Sequence, residues 1–400
     1  MAKSALTSCY IPYRSWWSSP FCRWQGSLGR SHSIELAAQV TRDALAARDI
    51  AVDQLDGVVL GITVPQKQGF YGAPWLANLI GADTLSGPTV SQACATSVRA
   101  MMTAALEVEY GSRACVGTIC CDRTSNGPHI TYPDPGGVGG RGVSEDPVWD
   151  NFNADPNTGL AMILTAENVA KAEGITREEQ DALTLLRHQQ YEDALADDRA
   201  FQRRYMVPVT FSKRGKVVKT VDADEGIFPT TAEGLAKLRP VIKGGTVTFG
   251  SQTFPGDGNA GMLITDADHA KRLAPDAPAT IRVLGFGEAR VEKGMMPKAV
   301  VPAAVAAMAS AGVDRADVAA WKTHNPFAVN DVYFCRELGL ETAAVNRYGS
   351  PLIWGHPQGP TGLRGVMELV EELIERGGGI GVFSGCAAGD TAMAMVVAVD

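Results

Sequence analysis

Apolar residues recur along this chain in two alternating rhythms. Residues 34–48, IELAAQVTRDALAAR, place them at helical spacing. The run DGVVLGIT that follows is short, continuous and β-branched, as in a buried strand. PTVSQA repeats the strand rhythm up to Cys94, TSVRAMMTAALEVEYG returns to helical spacing and stops at Gly111, and ACVGTICC is strand-like again. Strands alternating with helices predict an α/β protein whose mostly parallel sheet is covered on both faces.

The rhythm breaks after Cys121. Residues 122–158 are rich in Pro, Gly, Asp and Asn. Their glycine cluster, PDPGGVGGRGVSEDP, neither follows a strand nor opens a helix, so it reads as a mobile loop rather than a phosphate cradle. Thr165 to Asp197 is helical and charged, residues 206–227 form an irregular β segment, and GTVTFGSQ and AGMLITDADHA are expected to resume the strands. The last third repeats the α/β style. Helix VVPAAVAAMASAG leads to strand VAAWKTH, helix FAVNDVYFCRELG, the loop NRYGSPLIWGHPQGPTG, helix LRGVMELVEELIERG and strand GIGVFSG.

Composition narrows the function. The chain has 400 residues, 45% apolar and 20% charged, enough for two or three units of about 100–200 residues. A formal charge of −8 argues against nucleic acid or an anionic membrane as partner. No apolar run reaches a membrane span of about 18–20 residues, and MAKSALTSCYIPYRSWW lacks the basic-then-apolar order of a secretion signal. A cytoplasmic protein is the expectation. The eight cysteines lack any CxxC pair, so buried free thiols are expected and no metal site.

Four of the candidate reactive residues fall where strand runs end. Cys94 lies between a strand and a helix, where free N–H groups and the helix dipole favour a thiolate over a free-cysteine pKa of about 8.5. By itself it reads equally well as a small core residue. His356 lies in a loop of Gly and Pro before a helix, His324 ends VAAWKTH, and Cys386 ends GIGVFSG and opens CAAGD. Strand carboxyl ends are where open α/β sheets bind ligands. A cysteine with a histidine base makes a thioester, a second cysteine can exchange a proton with carbon, and backbone or imidazole N–H groups can hold an oxyanion.

These same blocks carry a family resemblance along nearly the whole chain. SSPFCRWQGSL, QACATS, TAENVAKAEGITREEQD, EGLAKLRPV with GTVTFGS, and then HNPF, GHPQGPTG and GCAAGD resemble, in order, the motifs of the thiolase superfamily. The resemblance implies two similar α/β halves with mixed five-stranded sheets, layered α-β-α-β-α, plus an inserted loop domain. One half would hold residues 1–121 and 246–272, the insertion residues 122–245, and the other half residues 273–400. It implies a thiolase, cleaving a 3-oxoacyl-CoA with coenzyme A as co-substrate or running the reverse Claisen condensation. Cys94 would be the acylated nucleophile, His356 its activator and Cys386 the acid/base at the α-carbon. His324 would position an oxyanion-hole water, and the N–H groups of Cys94 and Ala388 would form the second oxyanion hole. Thr253 would lie near the pantetheine arm.

Departures from the family pattern matter too. Ala161 stands where a histidine is common and Phe228 near a frequent arginine, which alters the expected coenzyme A contacts. Ala387 and Ala388 replace glycines, and HNPF lacks the usual acid at Asn325. Trp16, Trp17 and Trp24 are candidates to line an acyl pocket or face a partner, with ordinary core packing the alternative. They liken the chain to thiolases of aromatic or branched acids, such as benzoylsuccinyl-CoA thiolase, which work with a small zinc-binding OB-fold subunit. A homodimer or higher oligomer is implied. The alternatives are a coenzyme-A-independent retro-aldolase of the sterol-carrier branch and a non-catalytic scaffold.

Overall fold

The computed structural model describes residues 5–400; Met1–Ser4, the start of the segment read for a secretion signal, lie outside the described residues. Its strands are β1 (Tyr10–Ile11), β2 (Trp16–Ser18), β3 (Cys22–Arg23), β4 (Gly57–Gly61), β5 (Thr89–Val90), β6 (Cys115–Arg123), the hairpin β7 (Ile130–Tyr132) with β8 (Val143–Glu145), the hairpin β9 (Val209–Lys213) with β10 (Lys216–Val221), then β11 (Gly256–Thr265), β12 (Ile281–Arg290), β13 (Val318–His324), β14 (Gly379–Ala387) and β15 (Thr391–Val399). The main path runs β13-β14-β15-β12-β1-β11-β6-β4-β5. β4 pairs parallel with β5 and β6, and β13 parallel with β14; the remaining pairs are antiparallel. Short β1 joins the halves, because Tyr10 sits opposite Thr265 of β11 and Arg282 of β12. Counting β1 on each side, both halves are mixed five-stranded sheets.

Five layers result. Helix Ser33–Ala47 covers the outer face of β6 and β11, and helix Val300–Ala311 covers β12, β14 and β15. Between the half-sheets lie helices Thr96–Glu109 and Thr361–Glu375, which touch each other. Strands clothed on both faces need no polar alternation, which is why β14 and β15 read as nearly continuous apolar runs.

The central helix Thr361–Glu375 is buried from Thr361 to Leu373, although it carries Arg364, Glu368, Glu371 and Glu372. Charges in such a place must be paired. Arg364 donates from Nη1 and Nη2 to the two carboxylate oxygens of Asp224, each at 2.7 Å, and from Nε to Glu368 at 3.1 Å. Glu368 also pairs with Lys322 and accepts from the Tyr205 hydroxyl at 2.8 Å. Trp16 donates from Nε1 to Glu371 at 2.9 Å.

Four sequence expectations are corrected. The sheet is not mostly parallel: five of the eight pairings along its main path are antiparallel, because neighbours such as β14 and β15 are joined by a short turn rather than by a crossover helix. GTVTFGSQ forms no strand, because the N–H groups of Thr246 and Val247 go to the Glu167 carboxylate at 2.8–2.9 Å rather than to a ladder. PTVSQA is strand only at Thr89–Val90, since Ala93 turns into the left-handed region (φ 44°) before Cys94. The stretch 122–158 is not featureless: it holds the β7–β8 hairpin and a short helix, Trp149–Asn153.

Asp224→Ala should destabilise the protein by about 3–5 kcal/mol, the usual loss when one partner of a buried ion pair is removed. Chemical denaturation measures it, and a loss below about 1 kcal/mol would show that Arg364 is adequately held by Glu368 alone.

Candidate active site

Cys94 sits in the tight turn after β5. The Gln92 N–H donates to Thr96 Oγ1 at 2.8 Å, and that hydroxyl donates on to the Ala93 carbonyl at 2.7 Å. This local clamp sets the sulfur at the mouth of helix Thr96–Glu109. His356 lies between the short helix Pro351–Trp354 and helix Thr361–Glu375. It is therefore not at a strand end as the sequence pattern suggested; strand-like hydrogen bonds to Phe254 O (2.9 Å) and from Gly256 N (3.2 Å) fix its backbone instead. Its Nε2 is 3.1 Å from Cys94 Sγ, and its Nδ1 is 2.8 Å from Thr361 Oγ1. Proton donation from Nδ1 to Thr361 leaves Nε2 as acceptor for the thiol.

The loop after His356 is pinned by a buried acid. Asp122, at the end of β6, accepts from the N–H groups of Thr63 (2.9 Å), Val64 (2.8 Å) and Gly359 (2.7 Å) and from the Thr63 hydroxyl (2.7 Å). Burial nevertheless raises its pKa to about 7. The only sequence signal for it was a lone charge closing a buried strand run.

His324 ends β13 and is buried, its ring centroid 4.2 Å from that of His356. Neither of its ring nitrogens has a partner among the described residues. The next residue is held firmly: Asn325 Nδ2 donates to Asp331 at 2.6 Å and Asn325 Oδ1 accepts from Leu352 N at 3.2 Å. Asp331 also accepts from Arg187 (2.8 Å), Thr323 (2.5 Å) and Asn346 (3.0 Å). Cys386 ends β14 with Asn330 Nδ2 3.2 Å from its sulfur.

Burial dominates the titration of all four groups. It pushes the Cys94 thiol up to about 12, against the lowering effect of the Ala388 and Cys94 backbone N–H groups that face the sulfur. The thiolate expected from the helix terminus is thus outweighed in the free protein by loss of solvent. Burial, with Cys94 nearby, also holds the Cys386 thiol well above its usual range. It lowers His356 to about 3, and His324 well below the imidazole range with His356 adding to the effect. The resting array is two thiols and two neutral imidazoles. Cys94, His324 and His356 bring three donor atoms within 4.8 Å of one another. Both nitrogens of His356 are already engaged, so the set suits proton transfer better than a metal cage.

A cavity of about 410 Å³ opens onto Cys94, His356, Cys386 and Ala388. His324 stands behind it, out of the lining. The walls are apolar and aromatic, with Trp149, Phe152, Phe249, Phe254 and Phe327. Sequence reasoning missed these five, because they come from an irregular loop, a segment read as a strand and a helix cap. Ala161 and Thr253 line the cavity, with the Thr253 hydroxyl donated to the Pro351 carbonyl at 2.5 Å. Phe228 does not line it and is 71% exposed. Trp16 and Trp17 are core residues, fully buried; only Trp24 approaches the cavity, edge-on to Trp149 at 5.9 Å.

Comparison with known proteins gives a consistent picture. The chain is 30% identical to an acetyl-CoA acetyltransferase of Escherichia coli, over 93% of this chain and 94% of that one. It is 28% identical to a 3-ketoacyl-CoA thiolase of Bacillus subtilis, over 91% and 93%. Among solved structures, human mitochondrial 3-ketoacyl-CoA thiolase in complex with CoA superposes with a TM-score of 0.90 at 26% identity, each chain fully covered. The acetyl-CoA acetyltransferase of Bacillus anthracis gives 0.89 at 28%, covering 99% of this chain and 100% of that one. Residues 17–268 match the thiolase N-terminal domain and residues 277–399 the thiolase C-terminal domain, so the chain belongs to the thiolase family of acyl-transferring enzymes.

Proposed function

We propose that this enzyme cleaves a 3-oxoacyl-CoA by thiolysis, and can run the reverse Claisen condensation, through an acyl group carried on Cys94. The observation that carries the reading is the 3.1 Å approach of His356 Nε2 to Cys94 Sγ on the wall of a cavity that Cys386 and Ala388 also line. Cys94 sulfur attacks the 3-oxo carbon as its proton passes to His356. The C2–C3 bond then breaks, the acyl group stays on sulfur, and the departing enolate takes a proton at C2 from Cys386. Coenzyme A next gives its thiol proton to the Cys386 thiolate and attacks the Cys94 thioester; the shortened acyl-CoA leaves, and the freed Cys94 sulfur takes its proton back from His356. The N–H groups of Cys94 and Ala388 face the sulfur and suit the oxyanion of the acyl-cysteine. His356, with a water placed by His324, suits the oxyanion of the coenzyme A ester. Reagents with neutral resting groups need no counter-ion until the ester arrives.

The acyl group is bulky and hydrophobic in this reading, aromatic or branched rather than acetyl alone. The aromatic walls support it, since rings packed edge and face add about 0.5–1.5 kcal/mol each beyond area burial. Phe249 lines the cavity yet is 73% exposed, and the pantetheine arm of coenzyme A would cover it.

Incubation with a 3-oxoacyl-CoA should give a covalent acyl adduct on Cys94, read by intact-protein and peptide mass spectrometry. Cys94→Ala should abolish adduct and turnover. More than a few per cent residual turnover without another acylated cysteine would sink the assignment. Cys386→Ser should leave acylation of Cys94 from a simple acyl-CoA largely intact and slow carbon–carbon cleavage by about 10²-fold or more, the usual scale for loss of a general acid. Equal slowing of both half-reactions would give Cys386 a different role. Across a panel of esters, kcat/KM should favour aryl or branched acyl chains over acetoacetyl-CoA by at least 10-fold; the opposite order would refute the bulky-acyl reading.

A further inference from the structure

Each of the two site cysteines faces a buried side-chain amide. Gln358 brings Oε1 to 3.4 Å from Cys94 Sγ, and Asn330 brings Nδ2 to 3.2 Å from Cys386 Sγ. Both amides are nearly excluded from solvent. In each, the other end, Gln358 Nε2 and Asn330 Oδ1, is buried without a hydrogen-bond partner among the described residues. Orphaned buried polar atoms are uncommon and ask for an explanation. Gln358 also holds a left-handed backbone (φ 62°), which is unfavourable for a residue with a Cβ and persists only where its surroundings enforce it. The enforcement is visible: Thr361 N donates to Gln358 O at 3.2 Å, Gly359 N is bound to Asp122, and Ser97 Oγ donates to Gly359 O.

We propose that Gln358 and Asn330 are positioning residues that each serve one cysteine in both of its protonation states, the carboxamide turning end for end as the sulfur loses or gains its proton. The inference rests on the acid/base roles given to the two cysteines above. A thiol offers a proton and seeks an acceptor, whereas a thiolate can only accept. A carboxamide carries an acceptor and a donor of almost the same shape at its two ends. Gln358 Oε1 and His356 Nε2 are alternative acceptors for the single proton of the Cys94 thiol. When that proton goes to His356, a half-turn presents Nε2–H to the sulfur, and no existing bond of Nε2 is broken because it has none. Asn330 stands in the opposite sense, as donor to the Cys386 sulfur, and a half-turn would offer Oδ1 to the thiol. Neither backbone need move: Asn330 lies on helix Ala328–Leu338 beside the anchored Asp331. The charged and titratable groups around Cys94 are His356, His324, Cys386 and Asp122, and around Cys386 they are Cys94 and Asp331. The Asn330 hydrogen bond already opposes the effect of burial on Cys386.

Site-resolved alkylation tests this without any substrate. Rates of iodoacetamide reaction at Cys94 are followed by peptide mass spectrometry between pH 7 and 9, below the thiol pKa, where rate tracks thiolate fraction. Gln358→Met should slow Cys94 by about 10-fold, one pKa unit, the loss of one hydrogen bond to a charged atom. Gln358→Glu, which keeps the size and accepts but cannot donate, should slow it at least as much. In a Cys94→Ala background, Asn330→Leu and Asn330→Asp should slow Cys386 likewise; with Cys94 retained, the same Asn330 variants should leave the Cys94 rate within about 2-fold. Folding of each variant is checked by circular dichroism, and the near-isosteric Glu and Asp variants keep the test readable if the apolar ones unfold. Unchanged rates in the Glu and Asp variants, or equal slowing of both sulfurs by either change, would overturn the proposal. Failure to form an acyl adduct with these rate changes present would overturn the acyl-cysteine reading alone and leave the amide pairing standing.

Discussion

The active site depends on how closely two central helices begin. A Cβ on Gly362, in the first turn of helix Thr361–Glu375, would lie 3.0 Å from the Cβ of Ser97 in the first turn of helix Thr96–Glu109. Ser97 Oγ also donates to the Gly359 carbonyl just before the second helix. Only small side chains permit that approach. Because the helices start together, the segments that lead into them, with Cys94 in one and His356 in the other, come side by side. The sheet follows the same constraint, since the central layer has room for these two helices and the half-sheets must close over them from either side.

The same closeness explains the electrostatics. Full charges buried in the core are matched. Arg364 has Asp224 and Glu368, Lys322 has Glu368, and Arg187 has Asp331. The reactive groups are treated differently. Among the described residues Cys94 and His356 have no counter-charge in contact, and burial keeps both neutral. Paired ions hold the walls rigid, while the neutral thiol and imidazole remain free to exchange a proton when a polar ester enters. Asp122 lies between these regimes: four donors favour its charge, burial opposes it, and its pKa settles at about 7.

Much of this was legible in the chain because it is local. Helices Thr96–Glu109 and Thr361–Glu375 and strands β6, β13 and β14 announce themselves by periodicity, since burial on one stripe or on both faces imprints a fixed spacing on neighbouring residues. Cys94, His324 and Cys386 stood out because they lie at ends of such elements, and His356 because Gly and Pro flank it. What stayed hidden depends on residues far apart in sequence. GTVTFGSQ is loop because Glu167, some 80 positions away, captures its N–H groups. Trp16 and Trp17 pack into the core while Trp149 and Phe152 line the cavity, and nothing in their composition distinguishes the two fates. Cys94 and His356 are 262 positions apart, and their 3.1 Å contact follows from helix packing that no local pattern records. Periodicity states which face of an element is buried; it does not state what is buried against it, and the protonation of the site, the aromatic walls and the amides beside each sulfur all follow from that second fact.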